Sequence, residues 1–457
     1  MKMTERVPVP EAFVKRLQNQ LGEQVAMRLI KSLDGDIHTS VLLNSLKPSP
    51  LFQEDHQIPW NMHGRQLRER PVFTLDPLWH AGLYYVQESS SMFVGWILSV
   101  LFGDRKDLAC LDMCAAPGGK SLNILNHLQG SGILVSNEPV AQRNVFLREN
   151  IAKWGAANCL VTKGRPAEIA AMGALFDLVL VDAPCSGEGM FRKDSFAREQ
   201  WSESLVIQCA TEQENILSEA WKALKPGGYL VYSTCTFSPQ ENEDRLDQLL
   251  SFSSAEAVRL EPGVEWNIVE VPTQYGWMYR FLPHLQSGEG LTIGVVRKSG
   301  EATNSKLKKP KNLRACNDPE WDHWVKYSDQ FQLFSPGSGE EYLLSSSDAV
   351  LRVVPLCLEN LYVTMPGLHV GTRKGKDLVP GHALAISPYL SDNVRRIPLE
   401  RSEALRFLRC ESVDVPADTK GWYIVTYQGY ALGWIKSIPP RVNNYFPREW
   451  KIRMQGD

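Results

Sequence analysis

The run Phe176-Asp-Leu-Val-Leu-Val-Asp182 passes straight into Ala-Pro-Cys-Ser-Gly187, and this junction restricts the fold more than any other stretch. Its β-favouring apolar residues are too few for a helix and too continuous for a strand wetted on one face, so they predict a strand buried on both sides. Pro184 and Gly187 stop the run. Asp182 and Cys185 are therefore expected at the carboxyl end of a parallel strand, where open α/β sheets hold their ligands.

The surrounding sequence repeats the theme. Leu108 to Met113 reads as a first strand, Gly132 to Ser136 as a second and Asn158 to Thr162 as a third, with helices predicted over Gly119–Leu128 and Ala141–Trp154. A long amphipathic helix, Leu205 to Leu224, is closed by Lys225-Pro-Gly-Gly228, and Tyr229 to Ser233 gives a fifth strand ending in Thr234-Cys235-Thr236. Strands alternating with helices of this length predict an α/β, Rossmann-like, doubly wound and mostly parallel sheet with right-handed crossovers. Leu291 to Arg297 adds a late antiparallel strand.

At 457 residues the chain exceeds one ordinary domain. Residues 1–76 combine a helical pattern (Pro10 to Leu33) with a β-like stretch (His38 to Lys47), a small α+β module; residues 77–298 form the main domain, and 299–318 a basic linker. Residues 319–457 turn rich in Trp, Tyr, Pro and Gly, with β-like pieces at Ala349–Leu356, Leu361–Thr364, Gly421–Tyr427 and Tyr430–Ile435. They predict a β-rich C-terminal region of one or two subdomains. No apolar run is long enough to span a bilayer, and the first residues lack the apolar core of a signal peptide. Nine cysteines then read as reduced thiols, which predicts a cytoplasmic protein. Zinc spacing is missing: there is no Cys-x-x-Cys, and Cys110 and Cys114 have no second ligand pair nearby, so no metal is expected.

A formal net charge of -3 argues weakly against nucleic acid as a partner, but it hides patches. Lys298, Lys306, Lys308, Lys309, Lys311 and Arg314 face a single acid, Glu301, and read equally as a solvated linker or an RNA-facing segment. The tail sets Lys436, Arg441, Arg448, Lys451 and Arg453 among Tyr445, Phe446 and Trp450. Such a mixture suits RNA, although packing of a small β core explains the aromatic residues equally well.

The first strand runs into Asp112-Met-Cys-Ala-Ala-Pro-Gly-Gly-Lys-Ser121. A phosphate-cradling loop would need glycine where Cys114 stands, and the dinucleotide fingerprint is absent. The loop instead suits a ligand without a phosphate string, such as the nucleoside of S-adenosylmethionine, with Glu138 at the second strand end placed to accept from its ribose hydroxyls. Cys185 and Cys235 follow adjacent strands. With no His partner for a metal and a compartment that disfavours a disulfide, nucleophilic thiol chemistry remains. A thiolate adding to position 6 of a pyrimidine makes position 5 nucleophilic, and an acid near N3 stabilises the charge so created; Asp182, held protonated or sharing a proton, could serve.

Asp112-x-Cys-Ala-Ala-Pro-Gly-Gly-Lys120, Asp182-Ala-Pro-Cys-Ser-Gly187 and Tyr232-Ser-Thr-Cys-Thr236 with Glu241-Asn-Glu243 resemble the Sun-type RNA cytosine-5 methyltransferases, supported by Tyr85-Val-Gln-Glu-Ser-Ser-Ser-Met92 and Lys225-Pro-Gly-Gly228. Leu43-Asn-Ser-Leu-Lys47, the Gly187–Asp194 extension, Gly367–Gly371 and Pro380–Ala385 narrow the resemblance to the RsmF-type branch, which has a PUA-like C-terminal domain (here about 376–457) and methylates 16S ribosomal RNA. The resemblance implies S-adenosylmethionine as cofactor, bound by Cys114, Ala115, Ala116, Pro117, Gly118, Gly119, Lys120, Glu138 and Asp182. It also implies Cys235 as nucleophile, Cys185 as the group assisting release, Asp182 against the base, and RNA-binding roles for the N- and C-terminal modules; nothing marks an obligate protein partner. Two positions depart from the family: Lys163-Gly-Arg165 stands where an acid often meets the adenine, and Leu42 where an arginine is common. A transfer RNA substrate, a non-catalytic ribosome-assembly factor and a P-loop NTPase are the competing readings. The intact cysteine pair speaks against the second and Cys114 against the third.

Overall fold

The structure, a computed structural model, describes residues 7–252, 254–301, 319–326, 331–336, 339–375, 377–414 and 420–456. The basic run from Lys306 to Arg314 lies outside the described residues.

The chain opens with two helices, Glu11–Leu21 and Glu23–Ser32, rather than the single helical run expected. Gly22, at φ +79, breaks them in a conformation a side chain rarely adopts. Strands β1 (Ser40–Leu43), β2 (His56–Gln57), β3 (Gly64–Gln66) and β4 (Tyr84–Val86) then form an antiparallel sheet in the order β2-β3-β1-β4. This sheet reaches past the boundary expected at residue 76, because Val41 to Leu43 find their partners in Tyr84 to Val86.

The main sheet is built from β5 (Ala109–Asp112), β6 (Ile133–Asn137), β7 (Cys159–Thr162), β8 (Phe176–Asp182) and β9 (Leu224–Thr234). They run parallel in the order β7-β6-β5-β8-β9, so the strand order reverses between β5 and β8. Alternate residues of β8 enter two different cores, Leu178 and Leu180 one and Val179 and Val181 the other, as the continuous apolar run requires. The long helix, Glu203–Ala223, ends one residue earlier than expected; Lys225 to Gly228 loop out of register before pairing with β8 resumes at Tyr229. Strands β10 (Ala255–Ala257), β11 (Val269–Pro272), β12 (Trp277–Phe281) and β13 (Leu291–Lys298) follow, with β13 antiparallel to β9.

Two pieces of the C-terminal region belong to this sheet. Residues 349–356, expected as a strand, lie inside the helix Asp348–Asn360. Ser347 caps it by accepting from the Val350 N–H, and Ala349, Val350, Val353, Val354 and Cys357 fall on one helical face in the core beneath β5 to β9. The cap and the spacing of buried residues outweigh the β-branched composition that suggested a strand. Val363–Met365 then pairs antiparallel with β7 and closes the sheet edge.

The remaining C-terminal residues form two four-stranded sheets. One contains Phe331–Phe334, Glu340–Ser345, Leu368–Lys374 and Asp377–Pro380; the other contains Arg396–Pro398, Gly421–Tyr427, Tyr430–Ile438 and Arg441–Asn444. Val41, Leu78, Leu83 and Tyr84 of the first module share a core with Leu405, Phe407, Val425, Ile435 and Phe446. The two ends of the chain are thereby joined. No helix among the described residues is long and apolar enough to cross a membrane.

Candidate active site

The carboxyl ends of β5 and β8, with the loops after β5, β6, β7 and β8, line two adjoining clefts that share Cys114. The loop after β5 is fixed by backbone bonds, Met113 N–H to the Leu180 carbonyl and Ala115 N–H to the Asn137 carbonyl. The helix Ala141–Trp154 tightens it further: Arg143 donates to the Ala116 carbonyl at 2.8 Å and Asn150 to the Pro117 carbonyl at 2.8 Å. A Cβ on Gly119 would meet Gln87 Nε2 at 3.0 Å, so glycine is what lets the loop pass there.

The larger cleft, about 440 Å³, has Val140, Pro184 and Ile216 as apolar walls and Glu138 at one side. Glu138 is 1% exposed. Its Oε1 accepts from the Val140 N–H, while Oε2 lies 3.3 Å from Arg143 without a hydrogen bond. A buried acceptor held open beside a flat apolar slot fits a ribose and its base. Arg165 lines the far end with Pro166 and Ala167, and its guanidinium pairs with Glu168 at 2.8 Å.

The smaller cleft, about 160 Å³, is lined by Tyr85, Gln87, Glu88, Asp112, Lys120 and Asp182 together with the Cys114–Pro117 loop and Gly119. Ser121 donates to Asp112 Oδ2 at 2.7 Å, whereas buried Oδ1 has no partner; burial pushes this carboxyl up to about 7. Lys120 pairs with Asp182 Oδ2 at 2.8 Å, and the Ser233 hydroxyl donates to Oδ1 at 2.8 Å. Burial by itself would lower the Lys120 ammonium, but Asp182, Glu88 and Cys235 outweigh it and hold the lysine above its ordinary value. Both oxygens of Asp182 accept hydrogen bonds, and the positively charged donor that meets it beside the cleft is Lys120.

Cys185 and Cys235 meet as the strand order predicts, with Sγ 3.2 Å from Sγ and both thiols free. The hydrogen bond to Cys235, burial and the Glu241 charge push the Cys185 thiol well above the ordinary range. The two sulfurs lie within hydrogen-bond distance, and either can be the donor. Cys114 is likewise raised, by burial and by Asp112, Asp182 and Glu138, and is a poor nucleophile.

Several residues here escape sequence reasoning. Asn137 ties three loops by donating to the Met113 and Gly164 carbonyls and accepting from Thr162 and the Gly164 N–H. Glu241, fully buried, accepts from the Ser186 N–H, the Ser186 hydroxyl and Gln213. Only its place in the Glu241-Asn-Glu243 run marks it beforehand.

Away from the clefts, Leu42 is fully buried in the apolar core. In the tail, Phe446 and Trp450 pack inward, and Lys436 rests over Trp422 at 4.9 Å. Arg441, Arg448, Lys451 and Arg453 remain exposed. The tail aromatics pack into the cores of the C-terminal region, while the positive charges stand on its surface.

Comparison with known proteins agrees with this arrangement. Residues 100–297 match the family described as 16S rRNA methyltransferase RsmB/F, residues 9–89 the N-terminal domain of 16S rRNA methyltransferase RsmF, and residues 394–452 the methyltransferase RsmF PUA domain. The ribosomal RNA small subunit methyltransferase F of Erwinia tasmaniensis is 30% identical over 486 residues, spanning 98% of each chain. That of Vibrio campbellii is 29% identical over 476 residues with the same coverage. A methyltransferase homolog from Pyrococcus horikoshii is 26% identical at a TM-score of 0.53, covering 64% of this chain and 96% of its own. NSun6 from Pyrococcus horikoshii, solved with SFG, shares the fold at 19% identity and a TM-score of 0.55, covering 65% of this chain and all of its own (100%). The chain belongs to the ribosomal RNA small subunit methyltransferase F family of S-adenosylmethionine-dependent RNA methyltransferases.

Proposed function

We propose that the protein methylates carbon 5 of a cytosine in 16S ribosomal RNA through a covalent adduct on Cys235. The observation that carries this reading is the pair of free thiols, 3.2 Å apart, beside the Lys120–Asp182 ion pair at the carboxyl edge of the sheet. Relatives that span the whole chain are named small-subunit ribosomal RNA methyltransferases, which supports the substrate.

S-adenosylmethionine, when bound, supplies a sulfonium-activated methyl group; Glu138 would hold its ribose and the Cys114–Lys120 loop its amino-acid end. The Cys235 thiolate adds to carbon 6, and the electron pair of the 5,6 double bond moves towards carbon 5 and the ring carbonyl. Asp182 holds the base near N3, and the Lys120 ammonium beside it offsets the negative charge that addition creates. Carbon 5, so made nucleophilic, would take the electrophilic methyl group as the carbon–sulfur bond of the donor breaks and its electron pair stays on sulfur, leaving a neutral thioether. Loss of the carbon 5 proton to a base re-forms the double bond and expels Cys235 as a thiolate. The Cys185 thiol, which keeps its proton, donates a hydrogen bond to that departing sulfur.

Cys235→Ala tests the assignment. The variant loses methyl transfer to small-subunit RNA while its affinity for S-adenosylmethionine, read by calorimetry, is unchanged; wild-type turnover in this variant would exclude Cys235 as the nucleophile.

A further inference from the structure

We propose that Arg16, in the N-terminal helix Glu11–Leu21, is a positioning residue that sets the spacing of Cys185 and Cys235 through the buried carboxylate of Glu188. The inference rests on the catalytic roles proposed for the two thiols.

Glu188 is 0% exposed and stands three residues beyond Cys185. Its Oε2 receives Arg16 Nη2 at 2.7 Å and the Phe237 N–H at 2.9 Å, and its Oε1 receives Trp201 Nε1 at 2.9 Å. Glu188, itself on the Cys185 loop, therefore grips the Cys235 loop at Phe237, two residues after Cys235. The Gly189 N–H, next to Glu188, adds a 2.7 Å bond to the Cys235 carbonyl. One helical turn from Arg16, Gln20 Nε2 donates to the Phe237 carbonyl at 3.1 Å, so the helix touches the Cys235 loop a second time. Phe13 and Leu17 bury the rest of this face against Phe191, Trp201 and Phe237.

A charge this deeply enclosed needs a counter-ion. Arg16 ion-pairs with it, and no other ion-pair partner of Glu188 is found among the described residues. Without the guanidinium the enclosed carboxylate loses its charged donor, which weakens its hold on Phe237. The effect falls on the distance between two sulfurs that must exchange a hydrogen bond during release. The first module thereby contributes to the chemistry as well as to the outline of the protein.

The test uses the full chain and dibromobimane, which fluoresces only when it bridges two neighbouring thiols; a variant with both cysteines replaced by serine supplies the background. Bridging in Arg16→Met should be slower than in wild type by about tenfold, the scale of one missing charge-assisted hydrogen bond. Arg16→Lys should restore most of the rate. S-adenosylmethionine affinity should stay at the wild-type value in both, and in Arg16→Met kcat should fall with KM unchanged. A wild-type bridging rate in Arg16→Met overturns the proposal. So does a loss that lysine does not rescue and that weaker cofactor binding accompanies, since that marks general loosening of the fold. Because bridging needs no RNA, it decides the positioning role even where no methyl transfer is found and the functional reading itself fails.

Discussion

Mild acid should loosen the junction where the three parts of the chain meet, and two histidines set the size of the effect. His80 is 3% exposed and holds the Thr74 carbonyl at 3.0 Å; burial and the Lys153 ammonium push it down to about 4. His382 packs against Phe446 and Trp450 with neither ring nitrogen hydrogen-bonded among the described residues, and burial, Lys153, Lys47 and His80 push it down to about 3. Both rings are therefore neutral in the folded protein at pH 5, whereas in the unfolded chain each titrates near 6.5. Unfolding then takes up protons, so this contribution to stability is complete above pH 6.5 and is lost as the pH falls towards 4. At pH 5 an unfolded imidazole is almost fully protonated, which favours unfolding by about 2 kcal/mol per ring. The two together give about 4 kcal/mol between pH 8 and pH 5. Urea unfolding followed by tryptophan fluorescence at both pH values measures this for wild type and His382→Leu, a change of similar volume that removes the ring nitrogens. Carboxylates titrate equally in both proteins and cancel. The variant should lose about 2 kcal/mol less than wild type on acidification; equal losses would refute the claim that a neutral His382 is sealed in the junction.

Glu138→Ala should weaken S-adenosylmethionine binding by ten- to a hundredfold, about the effect of losing hydrogen bonds to a buried carboxylate; an unchanged affinity in calorimetry would remove Glu138 from the ribose. Cys185→Ala should trap a covalent RNA adduct visible on a denaturing gel, because the departing Cys235 sulfur loses its hydrogen-bond donor. Absence of the adduct would separate Cys185 from release. Neutralising Lys436, Arg441, Arg448, Lys451 and Arg453 together should lower RNA affinity and reduce the salt slope by about one for each phosphate that no longer meets a positive charge. A slope equal to wild type would leave these charges as plain surface.

Much of the fold could be read from local pattern. The parallel core was legible because strands buried on both faces carry unbroken apolar runs, as at Val179 to Val181, and because Pro184 and Gly187 stop the run. The helix Asp348–Asn360 was not, since Val350, Val353 and Val354 favour strands and Pro355 sits inside it; its identity comes from the Ser347 cap and from packing under a distant sheet. The two cysteines could be placed at one edge by strand order alone. The support behind them could not: Arg16 and Glu188 lie 172 residues apart, and nothing local to either announces the other. The same limit applies to Asp182, whose partners are a lysine from the first turn of the helix Gly119–Leu128 and a serine of β9.

Bisulfite sequencing of 16S ribosomal RNA from a strain lacking the gene tests the central claim most directly. One or more cytosines protected from conversion in the parent should become convertible in the deletion strain. Protection should return with the wild-type gene and not with Cys235→Ala. Full protection in the deletion strain, or its recovery with Cys235→Ala, would contradict the assignment of this chain as the cytosine-5 methyltransferase and of Cys235 as its nucleophile.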